Sequence, residues 1–242
     1  MRLIGVGMGP GDPELVTVKA IRVLGAADLV FVPVMDPQEQ GRAEATVRAH
    51  VDHDRVQRLV FALDDRGGVT DARRGAWEQA ADAVAEALQS AGSDTRSVAF
   101  ATIGDPNVYS TFTYLADAVR ERLADVVVET VPGITAMQDL AARSGTVLCE
   151  GTESLALLPL TAGLAAYDEA LTHFDTVVAY KGGRVVGDLR EVLAKHGRLD
   201  NAVFGAALGL PDEVIGALPE GSAPYLSTVI APARRTSRGG RL

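Results

Sequence analysis

The chain has 242 residues, 47% of them hydrophobic, and a formal net charge of -9 at pH 7. Such a chain is long enough for one large domain or two smaller ones, and its acidity argues against nonspecific nucleic-acid binding. No long uncharged apolar run is present, so we expect no membrane span and a cytoplasmic location. Its single cysteine, Cys149, excludes an internal disulfide, and we expect this side chain to be buried near the end of a strand.

Apolar runs alternate with helical patterns along the chain, which predicts an α/β protein. The expected strands are residues 3–6, 29–32, 98–102, 126–131, 155–159, 176–180, 202–208 and 225–231. The expected helices are residues 13–26, 42–50, 72–91, 108–123, 135–144, 167–171 and 188–196. The first half predicts a largely parallel sheet and the second half a smaller mixed sheet. We therefore expect α/β domains at residues 1–120 and 121–232, followed by a disordered tail at 233–242.

Residues 35–69 form a polar segment that contains several arginines and aspartates. Part of it is expected to be a surface excursion beside a cleft. The four histidines of the chain are scattered and are expected at the surface, so the sequence predicts no metal site.

The first glycine-rich turn, GVGMGPGDPEL, follows the first expected strand and precedes a helix, which is the context of a nucleotide-binding loop. Its spacing does not match that of a dinucleotide fingerprint, because Pro10 stands where the third glycine should be. Asp12 and Glu14 also occupy the helix start, where the amides would otherwise bind an anion. Three interpretations remain: a dinucleotide loop, a purely structural turn, and a ligand loop without a tightly bound phosphate.

Three further turns follow expected strands: TIGDPNVYSTF, VPGITAM and YKGGR. In a parallel sheet such turns lie at the carboxyl ends of the strands, where open α/β folds bind ligands. Asp105 either caps the helix after it or takes part in a ligand site. Thr135 can supply a hydroxyl or a helix cap.

Taken together, these motifs resemble the tetrapyrrole methyltransferases of corrin and sirohaem biosynthesis. The resemblance rests on GVGMGPGDPELVTVKA, TIGDPNVYSTFTYL, VPGITAM, TVVAYKGGR, and LPDE followed by PYLSTVI, and it extends from Leu3 to about Pro232. Two segments, DPNVYSTF and EGTESL, resemble the branch that methylates meso carbon 20 of precorrin-2 more than the other branches. The resemblance implies a reaction of the cobalamin pathway.

The resemblance also implies a homodimer of two-domain α/β subunits, with S-adenosylmethionine bound in the cleft between the domains. A donor with a sulfonium cation and no phosphate would be compatible with the acidic turns. By position, the implied donor-binding residues are Pro10, Ile103, Gly104, Asp105, Val108, Thr135, Ala136, Lys181 and Leu208. Relatives often have methionine at the position of Lys181 and glycine near Leu208.

The implied reaction needs little covalent chemistry from the protein, because positioning the two reactants supplies most of the catalysis. Tyr109 is the candidate catalytic residue, with packing or donor orientation as its alternative roles. The substrate carries several carboxylates, for which Arg42, Arg66 and Arg184 are the candidate partners.

Two other functions remain open at this point. A methyltransferase of the same fold could act on another tetrapyrrole, or on a protein substrate as in diphthamide synthesis. A nucleotide-binding regulatory protein would instead require the first turn to bind phosphate. The sequence does not distinguish a metal-free from a cobalt-bearing tetrapyrrole.

Overall fold

The computed structural model describes residues 1–51, 53–61, 70–90 and 96–235. It contains two compact units, Met1–Thr135 and Ala136–Leu242, and each is built on a five-stranded sheet with helices. The α/β fold is therefore confirmed. The first unit extends beyond the expected boundary at residue 120, because the strand Val127–Val131 pairs with the N-terminal strand.

The first unit is a parallel α/β sheet with helices on both faces. Its elements are β1 (Arg2–Gly7), α1 (Val18–Ala26), β2 (Leu29–Val34), α2 (Arg42–Arg48), β3 (Val56–Val60), α3 (Asp71–Gln89), β4 (Ser97–Thr102), α4 (Phe112–Arg122) and β5 (Val127–Val131). The strand order is β3-β2-β4-β1-β5, and every pairing is parallel. The turns after β1, β4 and β5 consequently lie side by side at one edge of the sheet.

Alternating side chains of β1 explain why this sheet is buried on both faces. Leu3 packs in one apolar cluster with residues of α3 and α4, whereas Ile4 and Val6 pack in a second cluster with residues of α1 and α2. Successive side chains of a strand point to opposite faces, so a continuously apolar strand requires helices on both sides. Trp77 packs against the first cluster and stacks on Tyr114, with ring centroids 4.6 Å apart, which is a packing role.

The second unit has a mixed sheet. Its elements are α5 (Ala136–Ser144), β6 (Leu155–Pro159), α6 (Leu164–His173), β7 (Thr176–Tyr180), α7 (Val186–Lys195), β8 (Val203–Ala206), β9 (Val214–Gly216) and β10 (Ser227–Ala231). The order is β6-β7-β10-β8-β9, in which only β6 and β7 pair in parallel. Helices α6 and α7 cover one face, and α5 covers the other.

Two strands were not predicted. Strand β3 lies within the polar segment at residues 35–69, where Val56 and Leu59 are buried and Gln57 and Val60 are exposed. It is an edge strand, so only part of its surface needs apolar residues. Strand β9 has three residues, too few for a periodic pattern to be visible.

The expectation for Cys149 was wrong, because this residue is exposed in a loop outside any strand. Nearby charges keep the loop at the surface: Arg235 pairs with Glu150, at 3.1 Å, and with Glu153. Residues 233–235 of the expected tail thus contact the second unit, and residues 236–242 lie outside the described residues. Within the described ranges, no helix combines the length and the apolarity needed to span a membrane.

Candidate functional site

The backbones of the turns after β1 and β4 are hydrogen-bonded to each other. Met8 N donates to the carbonyl of Thr102 at 2.9 Å. Gly104 N donates to Gly9 O at 2.7 Å, and Gly9 N donates to Gly104 O at 3.3 Å. Beyond the parallel pairing of β1 with β4, Gly9 and Gly104 thus form a separate antiparallel bridge that fixes the two turns relative to each other.

Glycines let the three strand-end turns of the first unit approach closely. A Cβ atom on Gly7 would lie 2.5 Å from Gly133 N, and one on Gly133 would lie 2.1 Å from Gly104 O. Both distances are far below a normal van der Waals contact. Any side chain at Gly7 or Gly133 would separate the turns, so glycine is required for this close approach.

Asp105 connects the second turn to the third. Its Oδ1 accepts the N–H of Asn107 at 2.8 Å, and its Oδ2 accepts the N–H of Gly133 at 3.0 Å. The side chain does not cap the following helix, since α4 begins only at Phe112. The capping interpretation is therefore wrong: Asp105 is a buried bridge between two turns, with 9% of its surface exposed.

Tyr109 lies in the irregular segment between β4 and α4. Its φ of 50° is in the left-handed region, which a bulky residue adopts at a cost of roughly 1 kcal/mol or more. The segment is fixed just after Tyr109, because Ser110 Oγ is 3.0 Å from Thr102 Oγ1 and accepts the N–H of Phe112 at 3.1 Å. The ring remains 44% exposed, while partial burial raises the pKa of the phenol.

The first turn leads into a short 3₁₀ turn, Pro13–Leu15, rather than directly into an α-helix. Asp12 accepts the N–H of Glu14 at 2.9 Å, as expected of a cap. Helix α1 begins five residues beyond Pro13, at Val18, and the hydroxyl of Thr17 caps it. This geometry disfavours a phosphate loop, because no α-helix N-terminus follows the glycines directly and Asp12 occupies an amide.

The remaining donor-site candidates of the first unit lie on the three turns. Pro10 and Thr135 are buried, and Ile103 and Val108 are half-buried. Together with Gly104 and Asp105, these residues belong to the ends of β1, β4 and β5. The structure thus brings these six candidates together in the first unit, including Thr135, which the predicted boundary placed in the second domain.

The second unit contains the other three candidates. Ala136 is the first residue of α5, and the N–H of Met137 donates to the Tyr180 hydroxyl at 2.8 Å, which joins α5 to the end of β7. Lys181 follows β7 with φ of 60°. Leu208 is buried in the apolar cluster beside α5, so its side chain is a core residue.

Two of the three candidate arginines are among the described residues, and these two belong to different units. Arg42 is half-buried and is the first residue of α2. The backbone of Arg184 belongs to the 3₁₀ turn Gly183–Val185 of the second unit, and Arg66 lies outside the described residues. Over the described part of the chain, no group of three or more His, Cys, Asp or Glu residues could bind a metal ion.

The sequence did not single out Thr102, Ser110, Thr46 and His50, all of which support the turns. Thr46 contacts Gly11 of the first turn, and His50 contacts Pro13. In each pair the two residues are more than thirty positions apart along the chain. Thr46 lies within α2, whereas His50 lies two residues beyond the end of this helix at Arg48, so a helical pattern in the sequence does not identify the pair.

Residues 2–223 match the family described as Tetrapyrrole (Corrin/Porphyrin) Methylases, and the chain belongs to this family. It is 35% identical over 240 residues to a precorrin-2 C(20)-methyltransferase from Sinorhizobium sp, covering 96% of this chain and 95% of the relative. It is also 33% identical over 206 residues to a probable cobalt-precorrin-2 C(20)-methyltransferase from Methanocaldococcus jannaschii, covering 84% and 80% of the two chains. These similarities confirm both the family and the branch that the motifs resemble.

The fold has a solved counterpart in this family. The uroporphyrin-III C-methyltransferase of Thermus thermophilus, crystallised in complex with S-adenosylhomocysteine, superposes with a TM-score of 0.60 at 22% sequence identity. The match covers 95% of this chain and 97% of that chain.

Proposed function

We propose that this protein is an S-adenosylmethionine-dependent methyltransferase that methylates meso carbon 20 of precorrin-2, or of its cobalt complex, in cobalamin biosynthesis. The observation that carries the proposal is the 35% identity to a precorrin-2 C(20)-methyltransferase over almost the full length of both chains. The product would be precorrin-3A or its cobalt counterpart.

The turns of the first unit fit S-adenosylmethionine better than a nucleotide. Close packing at Gly7 and Gly133 holds the three turns together, and a folded donor would lie against these turns. Asp12 and Asp105 already accept amide N–H groups that a phosphate would need. A cationic donor without phosphate has no need of those groups, and the Thermus relative contains the demethylated form of the same donor.

Within this proposal the chain acts mainly by orienting its two substrates. The bound donor supplies a methyl group on a sulfonium, which an electron-rich meso carbon takes up as the sulfide leaves and the carbon loses a proton. The strand-end turns at Gly104, Asp105 and Thr135 would orient the donor. Ala136, Lys181 and Leu208 are the proposed contacts from the second unit, where Leu208 would act through its backbone because its side chain is in the core.

Tyr109 is the proposed residue nearest to the reacting groups. Burial raises the pKa of its phenol, which keeps the hydroxyl protonated at neutral pH. The phenol therefore suits an orienting role, as a hydrogen-bond donor, better than the role of a general base. Its left-handed backbone supports this assignment, since strained residues are concentrated at functional sites.

Arg42, Arg66 and Arg184 remain the proposed partners for substrate carboxylates. Arg42 has the strongest structural support, because it is half-buried and forms no ion pair with another residue in the described ranges. A guanidinium in this state is available to bind a carboxylate of the substrate.

The decisive experiment is an anaerobic methyl-transfer assay with mass detection. Purified protein and S-adenosylmethionine are incubated with metal-free precorrin-2 and, separately, with its cobalt complex. A gain of one methyl group in one reaction establishes the activity and the form of the substrate. No gain in either reaction, with binding of S-adenosylhomocysteine demonstrated, would exclude both acceptors.

The proposal also includes a cytoplasmic homodimer. The cytoplasm is where a tetrapyrrole and S-adenosylmethionine would both be available. Light scattering coupled to size-exclusion chromatography measures the mass directly, and a value near the 25.4 kDa of one chain would contradict the dimer.

A further inference from the structure

Two side chains at the end of the α2 region contact the backbone of the first glycine-rich turn. Thr46 Oγ1 lies 3.3 Å from Gly11 O, and His50 Nε2 lies 2.9 Å from Pro13 O. A carbonyl oxygen only accepts hydrogen bonds, so the histidine ring nitrogen and the threonine hydroxyl are the donors, and the single hydroxyl hydrogen of Thr46 is shared between Gly11 O and Arg42 O, each at 3.3 Å. The two residues are four positions apart and reach carbonyls two positions apart.

The region that carries these donors is itself firmly attached to the sheet. Glu44, on the same helix, is fully buried and accepts from Arg48 Nε at 2.7 Å and from Arg58 Nε of β3 at 2.8 Å. Arg58 also donates to Pro37 O at 2.7 Å. Next to Thr46, Val47 is fully buried in the apolar cluster on that face of the sheet. Helix α2 is therefore a rigid base for the turn.

The turn needs such a base at its outer end. Its inner end is fixed by the two hydrogen bonds between Gly9 and Gly104, but the chain then passes through Gly11 at φ of 152°. Glycines have more accessible backbone conformations than other residues, so a turn with Gly9 and Gly11 loses much entropy when it is ordered. The hydrogen bonds from Thr46 and His50 favour one conformation among these.

We infer that Thr46 and His50 are positioning residues for the donor-binding turn of this methyltransferase. Neither is proposed to touch the donor; they act through the carbonyls of Gly11 and Pro13. The identity of the ligand rests on the function proposed above, whereas the positioning of the turn does not. Removing one hydrogen bond of ordinary strength shifts such a conformational equilibrium by about fivefold.

The test uses paired variants. Thr46→Val and His50→Leu remove the donors, whereas Thr46→Ser and His50→Gln keep an O–H or N–H within reach of the same carbonyls. Thr172→Val is the matched control. Thr172 Oγ1 donates to the carbonyl four residues earlier, Asp168 O at 3.5 Å, just as Thr46 Oγ1 contacts Arg42 O at 3.3 Å. Among the described residues, however, Thr172 has no second partner in a turn.

Two quantities are measured on each full-length variant. The first is the dissociation constant of S-adenosylhomocysteine by calorimetry, with the KM for S-adenosylmethionine and the kcat alongside it. We expect Thr46→Val and His50→Leu each to weaken binding about fivefold and to raise the donor KM, with kcat at saturating donor retained. The serine and glutamine variants should recover most of the affinity, and Thr172→Val should match the wild type.

The second quantity is amide hydrogen exchange in the peptide that covers residues 8–16. It should accelerate in Thr46→Val and His50→Leu and remain unchanged in the rescue and control variants. Unchanged exchange in both donor-removing variants would overturn the positioning role. If exchange accelerates but the wild-type protein itself does not bind S-adenosylhomocysteine, the positioning stands and the proposed donor is wrong. Wild-type affinity in variants with accelerated exchange would overturn the link between the turn and the donor.

Discussion

Replacing Asp105 by alanine tests whether the bridge between the second and third turns supports the candidate site. The substitution removes two hydrogen bonds to a carboxylate, from Asn107 N at 2.8 Å and from Gly133 N at 3.0 Å. Bonds to charged groups contribute about 1.5–3 kcal/mol each, and water can replace part of the bond to exposed Asn107. We expect the free energy of unfolding to fall by about 2–4 kcal/mol.

The same bridge should determine donor affinity. If the bond to Gly133 contributes about 2 kcal/mol to the arrangement of the third turn, its loss corresponds to roughly a thirtyfold change in an equilibrium constant. We therefore expect Asp105→Ala to bind S-adenosylhomocysteine more weakly than the wild type, by up to about thirtyfold. Asp105→Asn should lie between the two proteins, because its amide oxygen can accept only one of the two N–H groups.

Asp36 supplies the matched control for this experiment. Its carboxylate accepts the N–H of Gln38 at 2.8 Å, which is the same local turn as that of Asp105, and within the described ranges it makes no long-range hydrogen bond. Asp36→Ala should reduce stability by about 1 kcal/mol or less and leave donor affinity unchanged. Asp105→Ala with wild-type affinity would remove Asp105 from the donor site. A stability loss equal to that of Asp36→Ala would show that the Gly133 bond contributes nothing.

Three further predictions concern stability, each measured by chemical denaturation. Gly133→Ala should lower the free energy of unfolding by more than about 3 kcal/mol, because the new Cβ would lie 2.1 Å from Gly104 O. Gly104→Ala should lower it by only about 1 kcal/mol, because a Cβ there enters open space and the cost comes from the φ of 68°. Equal losses would refute the close-packing argument. Tyr167→Phe should leave the free energy of unfolding unchanged or raise it by up to about 1 kcal/mol, because the buried hydroxyl has no partner among the described residues. A clear loss of stability would show that this hydroxyl is hydrogen-bonded to water. For Glu44, burial raises the pKa, but hydrogen bonds from Arg58 and Arg48 outweigh it and hold the pKa below its usual value. Glu44→Gln should therefore lower the free energy of unfolding by about 3 kcal/mol at neutral pH. This difference should shrink as the pH falls below the unfolded-state pKa and through the lower folded-state pKa. A difference that does not depend on pH would contradict the ion-pair origin.

Local patterns predicted the turns after β1 and β4 because each follows a continuously apolar strand. Such strands as β1 and β4 are buried on both faces and are easily recognised, and glycine and proline then mark where they end. Pairing between distant strands has no comparable local signal. Strand β5 was therefore assigned to the wrong side of the boundary between the units, although its own position along the chain was predicted to within one residue.

The supporting residues could not be predicted for the same reason. His50 donates to a carbonyl 37 residues earlier, and Glu44 is fully buried only because Arg48 and Arg58 both reach it. In the sequence these residues look like the polar face of a surface segment. The ion pairs of Glu44 with Arg48 and Arg58 attach α2 to β3, so part of the polar composition reflects internal contacts, whereas residues 35–40 are exposed, as expected of a surface excursion.

The carboxylates of the turns explain why a glycine-rich strand-end turn need not be a phosphate site. Asp12 accepts the amide two residues ahead of it, and Asp105 does the same and also accepts Gly133 N. A phosphate must either displace these carboxylates or approach them at close range, and like charges repel strongly when water is excluded. A ligand with a cationic centre and hydroxyl and amino donors faces no such cost and can use the carbonyls that remain. The arrangement therefore favours S-adenosylmethionine over nucleoside triphosphates on physical grounds that are independent of family membership.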